Sequence, residues 1–499
     1  MIDTAPLIEG GKNETGEDYR LGGRSPIVTI FTLLAGPLLS QLINAFYGIV
    51  NTLWISKGIG DQGLEVLSSL FLFDMIIFSF GNLLIVSTSS HISYLFGRKT
   101  PDDCNQLIAD LIRVAIILAI IYPSIVIPTS YPLVKWLAES TVIAHEAFKY
   151  ELISAGCSIV PFIFYVLCGL LQGEGRTWLF GAMQVLSLVL DMGCFLPLFV
   201  VKLHFGVWGA ALSQIIAQSV PTIILLILLI TGKLTLKIKF SMFFRKFGIE
   251  TKNALKVGFA SFILNLSEAF PQFAMQKFIV LVADHVHMRD PILSSWNIFG
   301  RLYTVAICIM VAFDSAFIPS ASYAYGHKLY KRVVRLCLHT FWITFVYAGI
   351  MSAIVMIWPV ELTRLFSKEK DVLYIAKKFM WIAFLSLPIY PVHAIVISFL
   401  QAIKRPTRAS ILSLITTLVP MPIFSAIFYF THPDSLAWIF GAYIATDIST
   451  SLITLIGMSS VFFRMMKLND GDEISDEEEI QNPSIPTATS VESIADIDK

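Results

Sequence analysis

Charged residues are scarce in this sequence. Only 14% of its 499 residues are Asp, Glu, Lys or Arg, whereas soluble domains contain about 25%. The 36 acidic and 36 basic residues cancel, so the formal net charge is zero and no basic surface for nucleic acid is indicated. Hydrophobic residues make up 56% of the chain, and the mean hydropathy is +0.72. These values predict a protein whose surroundings are a lipid bilayer.

Sequence signals of enzymes and metal proteins are also missing. There is no GxxxxGK[ST] phosphate-binding motif, no CxxC pair, no His/Cys cluster and no Ser/His/Asp set that stands out. The six cysteines fall in apolar runs or in loops on the side of the termini, so no disulfide is expected. Residues 1–25 are polar and lack the apolar core of a signal peptide. We therefore expect a membrane protein without enzyme activity, cofactor or metal, whose first span is retained.

Apolar runs long enough to cross a bilayer are abundant. A spanning helix needs about 20 mainly apolar residues, and the alternating pattern of barrel strands is absent. Twelve runs qualify, at residues 27–50, 64–96, 107–130, 150–172, 177–201, 206–231, 253–283, 292–325, 333–358, 372–402, 408–430 and 436–463. The sequence thus predicts an all-α polytopic membrane protein with twelve transmembrane helices.

The loops and tails indicate how the chain is oriented in the membrane and which cellular membrane contains it. Most Lys and Arg residues lie in loops on the side of the two termini, including the basic stretch 232–252, which places both termini in the cytosol. DTAPLI (3–8) fits an acidic dileucine sorting signal, and NDGDEISDEEE (469–479) predicts a disordered acidic tail. We expect a multi-pass protein of the plasma membrane or of a vacuolar or endosomal membrane, from a eukaryotic source.

The chain repeats itself. HISYLFGRK (91–99) matches SASYAYGHK (320–328) and LLQGEGRT (170–177) matches FLQAIKRP (399–406), both at an offset of 229, since 320 − 91 equals 399 − 170. Each copy holds six spans, so the two enter the membrane in the same direction, as parallel repeats around a central cleft. The expected parts are an N-terminal tail (1–25), an N-terminal lobe (26–231), a linker (232–252), a C-terminal lobe (253–463) and an acidic tail (464–499).

Three stretches resemble a known transporter family. GPLLSQLINAFYGIVNTLWISKGIG (36–60), QGEGRTWLFGAM (172–183) and FGVWGAALSQIIAQ (205–218) are similar to the first span, the fourth-to-fifth connection and the sixth span of the multidrug and toxic compound extrusion (MATE) family. The resemblance covers residues 26–463. It implies an alternating-access antiporter that exports small organic, often cationic or amphipathic compounds in exchange for H⁺ or Na⁺. It also implies two six-helix lobes in a V, and we expect a functional monomer.

Glu268 is the residue that carries over best from that family. The seventh span of its members commonly bears a glutamate after an opening glycine, and Glu268 follows Gly258 at the same spacing. A charged side chain at the bilayer centre costs at least about 2.5–3.5 kcal/mol. The carboxyl is therefore expected to face a cavity, where a proton and an arriving cation compete for it.

The sequence also departs from the family pattern. Asn51 and Leu196 stand where many prokaryotic members have aspartates in the first and fifth spans, and the tenth span has no acid. These departures favour the C-terminal lobe as the ion site. Asp74 and Asp191 are the candidates for an acid in the N-terminal lobe.

Polar residues recur at helical spacing in two spans. The first-span set is Gln41, Asn44 and Asn51, and the seventh-span set is Asn265, Glu268 and Gln272. Residues three or four positions apart share one face of a helix. Such a face can line a cavity or join helices through hydrogen bonds, and the sequence leaves both interpretations open.

Other ionisable residues fall inside spans of the C-terminal half. Asp314, Asp447 and Arg301 are candidates for transport or for structural ion pairs, although Arg301 lies thirteen residues before Asp314, too far to pair with it along one helix. His91 and His393 are candidates for titration near neutral pH or for simple packing.

Two alternative functions remain. One is a flippase for lipid-linked oligosaccharides of the same wider superfamily, although large flippases often have more spans and a strongly cationic cavity. The other is a membrane scaffold or receptor without transport activity. Acids inside the spans favour a transporter over a scaffold.

Overall fold

The computed structural model describes residues 16–138, 140–236 and 240–472. Over this part of the chain the secondary structure is helical, with turns and no strand. This agrees with the expected all-α fold. A helix pairs its own backbone groups, which is what a chain in hydrocarbon requires.

The N-terminal half begins with a short helix and forms six passes. The helices are α1 (Gly16–Leu21), α2 (Pro26–Gly58), α3 (Asp61–Arg98), α4 (Pro101–Ala138), α5 (Thr141–Ser154), α6 (Ile159–Gly173), α7 (Thr177–Leu190) and α8 (Val207–Ile230). Helices α5 and α6 form one pass with a bend of 51°. Helix α7 continues through π-helical turns at Asp191–Phe195 and Pro197–Lys202. Pro197 lacks an N–H, which favours such a bulge.

The C-terminal half follows a linker with a 3₁₀ turn at Phe240–Phe244. Its helices are α9 (Ile249–His285), α10 (Arg289–Gly326), α11 (Tyr330–Ile357), α12 (Pro359–Arg364), α13 (Lys370–Ile375), α14 (Trp381–Phe384), α15 (Tyr390–Ala402), α16 (Pro406–Leu418), α17 (Pro420–Thr431) and α18 (Leu436–Lys467). Helices α13 to α15 follow the tenth predicted run, and α16 with α17 follows the eleventh. Pro388 lies in the break before α15, and Pro420 begins α17.

Twelve passes account for these helices. Within the described residues, nine spans are long and apolar enough to cross a membrane, and the bent α5–α6 pair makes ten. The other two are α9, which carries a polar stripe, and α13 to α15, which is interrupted. The twelve-helix prediction is thus confirmed.

Equivalent backbone features recur in the two halves. Ser93 donates a hydrogen bond to the Gly173 carbonyl at 2.9 Å, and Ser322 donates to the Ala402 carbonyl at 3.4 Å. Both pairs are related by the offset of 229, because 322 − 93 equals 402 − 173. The left-handed residues match as well, Lys99 with Lys328 (φ 59° and 58°) and Gly175 with Lys404 (φ 71° and 60°). The predicted repeat is therefore present in three dimensions.

The two lobes meet at the face that carries the start of α2 and the end of α18, which we call the terminal face. A Cβ atom on Gly97 would overlap the carbonyl oxygen of Tyr323, and one on Gly326 would overlap that of Tyr94. Ser90 and Ser322 form a hydrogen bond of 3.0 Å between the lobes. Helices α3 and α10 thus cross in close contact here, and this face is closed.

Candidate ion and substrate sites in the two lobes

Helix α9 carries polar residues on one face. Asn265, Glu268 and Gln272 follow one another by three or four residues, and Glu268 and Gln272 are exposed. Lys277 lies nine residues after Glu268, which is two and a half turns at 3.6 residues per turn. It therefore points to the opposite side of the helix, with exposed Phe270. The polar stripe predicted from the sequence is thus one continuous helical face.

Glu268 is exposed on the polar face of α9. Its carboxyl is close enough to the phenols of Tyr303 on α10 and Tyr390 on α15 to interact with them electrostatically. Tyr303 is buried within that lobe. Glu268 makes no ion pair with any residue in the described ranges. An accessible carboxyl without a basic partner is free to bind a proton or a cation.

Two further acids of the C-terminal lobe interact with the same tyrosine as Glu268. The hydroxyl of Tyr390 is within electrostatic range of Asp314 and Asp447 as well as Glu268. Ser386 donates a hydrogen bond to Asp447, and Ser398 lies beside Asp314. Oδ1 of Asp314 is buried without a hydrogen-bond partner among the described residues. Three carboxyls of the C-terminal lobe are therefore within electrostatic range of one tyrosine.

The ion pair considered from the sequence does not form. No salt bridge joins Arg301 to Asp314 or Asp447 in the part of the chain that is described, and Arg301 is exposed. His393 packs against Tyr390 with ring centroids 5.7 Å apart, and its Nε2 atom is buried without a partner. His393 thus joins the group around Tyr390, whereas His91 bonds Glu250 at 2.6 Å between the lobes.

The N-terminal lobe has its own acid group. Tyr47 on α2 donates a hydrogen bond of 2.8 Å to Oδ2 of Asp191, which lies in the π-helical turn after α7. Ser213 on α8 lies beside this carboxyl, and its hydroxyl donates to the Ala210 carbonyl at 2.8 Å. Asp191 is only 2% exposed, and its Oδ1 atom has no hydrogen-bond partner among the described residues. Asp74 on α3 interacts electrostatically with Tyr47. The two N-terminal acids predicted from the sequence therefore both lie near one tyrosine.

Glu151 is a third acid of this group that the sequence analysis missed. It lies on α5, is 1% exposed, and interacts electrostatically with Asp74. Its Oε2 atom is buried without a partner. The predicted fourth span began at residue 150, which put Glu151 at the membrane surface. Helix α5 begins at Thr141 instead, and the apolar spacing of TVIAHEAFKYELI was the signal that extended it.

The polar residues of the first span lie along α2. Asn44 is exposed, whereas Gln41 and Asn51 are half-buried. Oδ1 of Asn51 is buried without a hydrogen-bond partner. Asn44 and Asn51 lie three residues before and four residues after Tyr47, about one helical turn to either side of the residue that bonds Asp191.

Comparisons with known proteins match the whole architecture. The family model MatE matches residues 38–196 and 267–425. The two matched segments are offset by 267 − 38 = 229 residues, as in the internal repeat. The chain is 19% identical over 397 residues to the multidrug export protein MepA of Staphylococcus haemolyticus, with 77% of this chain and 83% of the relative covered. It is 18% identical to the probable multidrug resistance protein YoeA of Bacillus subtilis, at the same coverage.

Solved structures share the fold. One is an outward-facing conformation of a multidrug resistance MATE family transporter of the MOP superfamily, at a TM-score of 0.84 and 18% identity. Another is a MOP superfamily transporter from Pyrococcus furiosus, at a TM-score of 0.83 and 18% identity. Each alignment covers 92% of this chain and 100% of the other. These similarities extend over both lobes.

Proposed function

We propose that this chain, which belongs to the MatE family, is a secondary active antiporter that exports organic cationic or amphipathic compounds in exchange for H⁺ or Na⁺. The observation that carries the proposal is Glu268, an accessible carboxyl on the polar face of α9 without a basic partner among the described residues. A protein that moves cargo needs no covalent chemistry. The names of the two bacterial relatives, a multidrug export protein and a probable multidrug resistance protein, support the choice of cargo.

The exchange follows from competition at one carboxyl. A proton on Glu268 neutralises it, and an organic cation near it favours the ionised form. Cargo and proton therefore exclude each other, which couples their movements in opposite directions. Asn265 and Gln272 offer hydrogen-bonding groups beside the carboxyl, and Asn44 offers one on the facing lobe. We place the terminal face in the cytosol, so the closed state is the one in which cargo leaves.

The N-terminal acids form a second site for the coupling ion. Within the part of the chain that is described, Asp191 and Glu151 each have one buried oxygen without a hydrogen-bond partner. A buried carboxylate without a partner is costly, so each holds a proton or shares a cation. Asp74 lies within electrostatic range of Glu151. We assign cargo to the exposed C-terminal site and the coupling ion to either lobe.

Transport in sealed proteoliposomes tests this function. A fluorescent organic cation is offered under an imposed pH gradient or an imposed Na⁺ gradient. We expect one of the gradients to drive uptake by the parent protein and the Glu268→Gln variant to lose that uptake. Lys277→Gln, on the opposite side of the same helix, is the matched control and should retain it.

Two outcomes would contradict the proposal. The first is a correctly inserted Glu268→Gln variant that exchanges at the parental rate. The second is uptake that neither gradient drives. In the second case, movement of a lipid-linked oligosaccharide across the same vesicles would support the flippase alternative.

A further inference from the structure

The segment before the first pass touches both lobes. Residues 16–25, which we call the strap, include helix α1 and lead into α2 at the terminal face. Leu21 in the strap is fully buried and packs with residues of α10 and α11 such as Tyr323 and Val333. The strap is thus part of the packed structure and occupies the closed seam.

The C-terminal lobe holds the strap by side-chain and backbone bonds. Tyr323 on α10 donates a hydrogen bond of 2.6 Å to Oδ1 of Asp18. Arg332 on α11 is buried, and its Nη2 atom donates to the carbonyl of Arg24 at 2.7 Å and to that of Leu21 at 3.4 Å. Hydrogen bonds from a charged group are stronger than those between neutral groups. These contacts fix the strap to one lobe.

The N-terminal lobe holds the same strap at a different point. Nε of Arg20 donates a hydrogen bond of 2.9 Å to the backbone carbonyl of Glu174. Glu174 follows the end of α6 and is fully buried. Gly175 has a φ of 71°, and a Cβ there would meet the Cβ of Arg20 at 3.1 Å. The strap therefore fits closely against this turn. If the two lobes separate at the terminal face, one set of contacts has to break.

The linker and the start of α9 make similar contacts with the N-terminal lobe. Asp110 on α4 accepts hydrogen bonds from the Gly248 amide at 2.9 Å and from Thr251 at 2.8 Å. Arg113 donates to the Arg245 carbonyl at 2.8 Å. The start of the second lobe is thus held by the first, as the strap is held by the second. The linker is covalently tied to both lobes, whereas the strap continues into α2 of the N-terminal lobe and is held by the C-terminal lobe through noncovalent contacts.

We propose that the strap is an intramolecular latch that holds the two lobes together at the terminal face and leaves one of them when that face opens. Because residues 16–25 lie outside the passes that carry the ion sites, a change confined to them alters how often the face opens without altering those sites. This inference rests on the alternating-access function proposed above. It makes the strap a point of control over the transport cycle.

Thiol labelling of the full-length protein measures opening directly. Ser90 is fully buried between the lobes, 3.0 Å from Ser322 and 2.6 Å from Nζ of Lys404. In a background with the six native cysteines replaced, Ser90→Cys reports opening through its rate of reaction with a maleimide. No substrate or gradient is present, so the result does not depend on transport.

Asp18 provides a matched pair of variants. We expect Asp18→Ala, which removes the acceptor for Tyr323, to raise the labelling rate about tenfold, the equivalent of about 1.4 kcal/mol. Tyr323→Phe removes the donor and should give a similar rise. The double variant should be no faster than either single variant, because both remove the same bond. Asp18→Asn keeps a carbonyl acceptor and should stay within about twofold of the parent.

A second reporter separates latching from folding. Ser425 is fully buried inside the C-terminal lobe, where its hydroxyl donates a hydrogen bond to the sulfur of Met275 on α9. A cysteine introduced by Ser425→Cys should therefore react only when that lobe unfolds. A rise at Ser90→Cys alone supports the latch. Equal rises at both reporters, or parental labelling of Ser90→Cys in Asp18→Ala and Tyr323→Phe, would overturn it.

Discussion

The two lobes have similar backbone structures but differ in how deeply their acidic side chains are buried. In the N-terminal lobe, Asp191 and Glu151 are 2% and 1% exposed, and Asp191 is bonded to Tyr47. In the C-terminal lobe, Glu268 is exposed and unbonded within the described residues. The first lobe therefore encloses Asp191 and Glu151, whereas the second leaves Glu268 accessible to a ligand.

The acids do not follow the repeat. At the offset of 229 that relates α3 to α10, Asp74 corresponds to Tyr303 (303 − 74) and Asp314 corresponds to Ile85 (314 − 85). Backbone features at the same offset do correspond, including the left-handed Lys99 and Lys328. The scaffold is thus duplicated, while each lobe has its own ionisable groups. A difference of this kind is what separate roles for the two lobes require.

The largest expected effect is on cargo binding. Glu268→Gln should weaken equilibrium binding of an organic cation about 100-fold, since the loss of about 2.8 kcal/mol is two factors of ten. Asp191→Asn should change the same affinity less than about threefold, because that carboxyl is enclosed. Fluorescence titration of the purified protein measures both. Equal losses in the two variants would remove the distinction between the lobes.

The next effect concerns the symmetry of the closed face. Gly97→Ala and Gly326→Ala should each raise the labelling rate of Ser90→Cys at least about tenfold, because the new methyl group overlaps a backbone carbonyl across the seam. Gly349→Ala, whose Cβ meets nothing within 4 Å, is the control and should label as the parent does. A large effect at only one of the two seam glycines would show that the lobes close asymmetrically.

A smaller effect is expected from the bond that holds Asp191. Tyr47→Phe removes a hydrogen bond to a carboxyl, worth about 1.5 kcal/mol or more, and should slow gradient-driven transport about threefold to tenfold. The matched control is Asp284→Asn, a change at the exposed end of α9. Initial rates of gradient-driven transport in proteoliposomes compare the two variants with the parent. A parental rate in Tyr47→Phe would exclude a transport role for this bond.

The smallest effect is on stability. Glu151→Gln replaces an enclosed carboxyl that has an unpartnered oxygen by a neutral amide, so the Tm should rise by about 2 °C, given that 1 kcal/mol shifts the Tm of a 150–250-residue domain by about 2–4 °C. Glu146→Gln alters an accessible residue of the same helix that pairs with Lys149, and should leave the Tm unchanged. Thermal unfolding in detergent compares them. A lower Tm for Glu151→Gln would mean that the carboxyl is stabilising.

Much of the fold could be predicted because its causes are local. Apolar runs of the length of a bilayer predicted twelve passes, and short matches at one offset predicted two parallel copies. The polar stripe containing Glu268 was also predictable, since helical spacing alone puts those residues on one face. Glu151 was missed because the start of α5 lies nine residues before the start of the apolar run (150 − 141). A helix start of that kind depends on the protein around it and not only on hydropathy.

The order of apolar and polar residues by itself determined that this chain crosses a membrane in two copies of one unit, because the bilayer fixes the length of each pass. The tertiary structure decided which ionisable groups are enclosed and which are accessible. Tyr47 and Asp191 are 144 residues apart in sequence, and Asp18 and Tyr323 are 305 apart. Such pairs meet only when helices pack, so no local pattern predicts them.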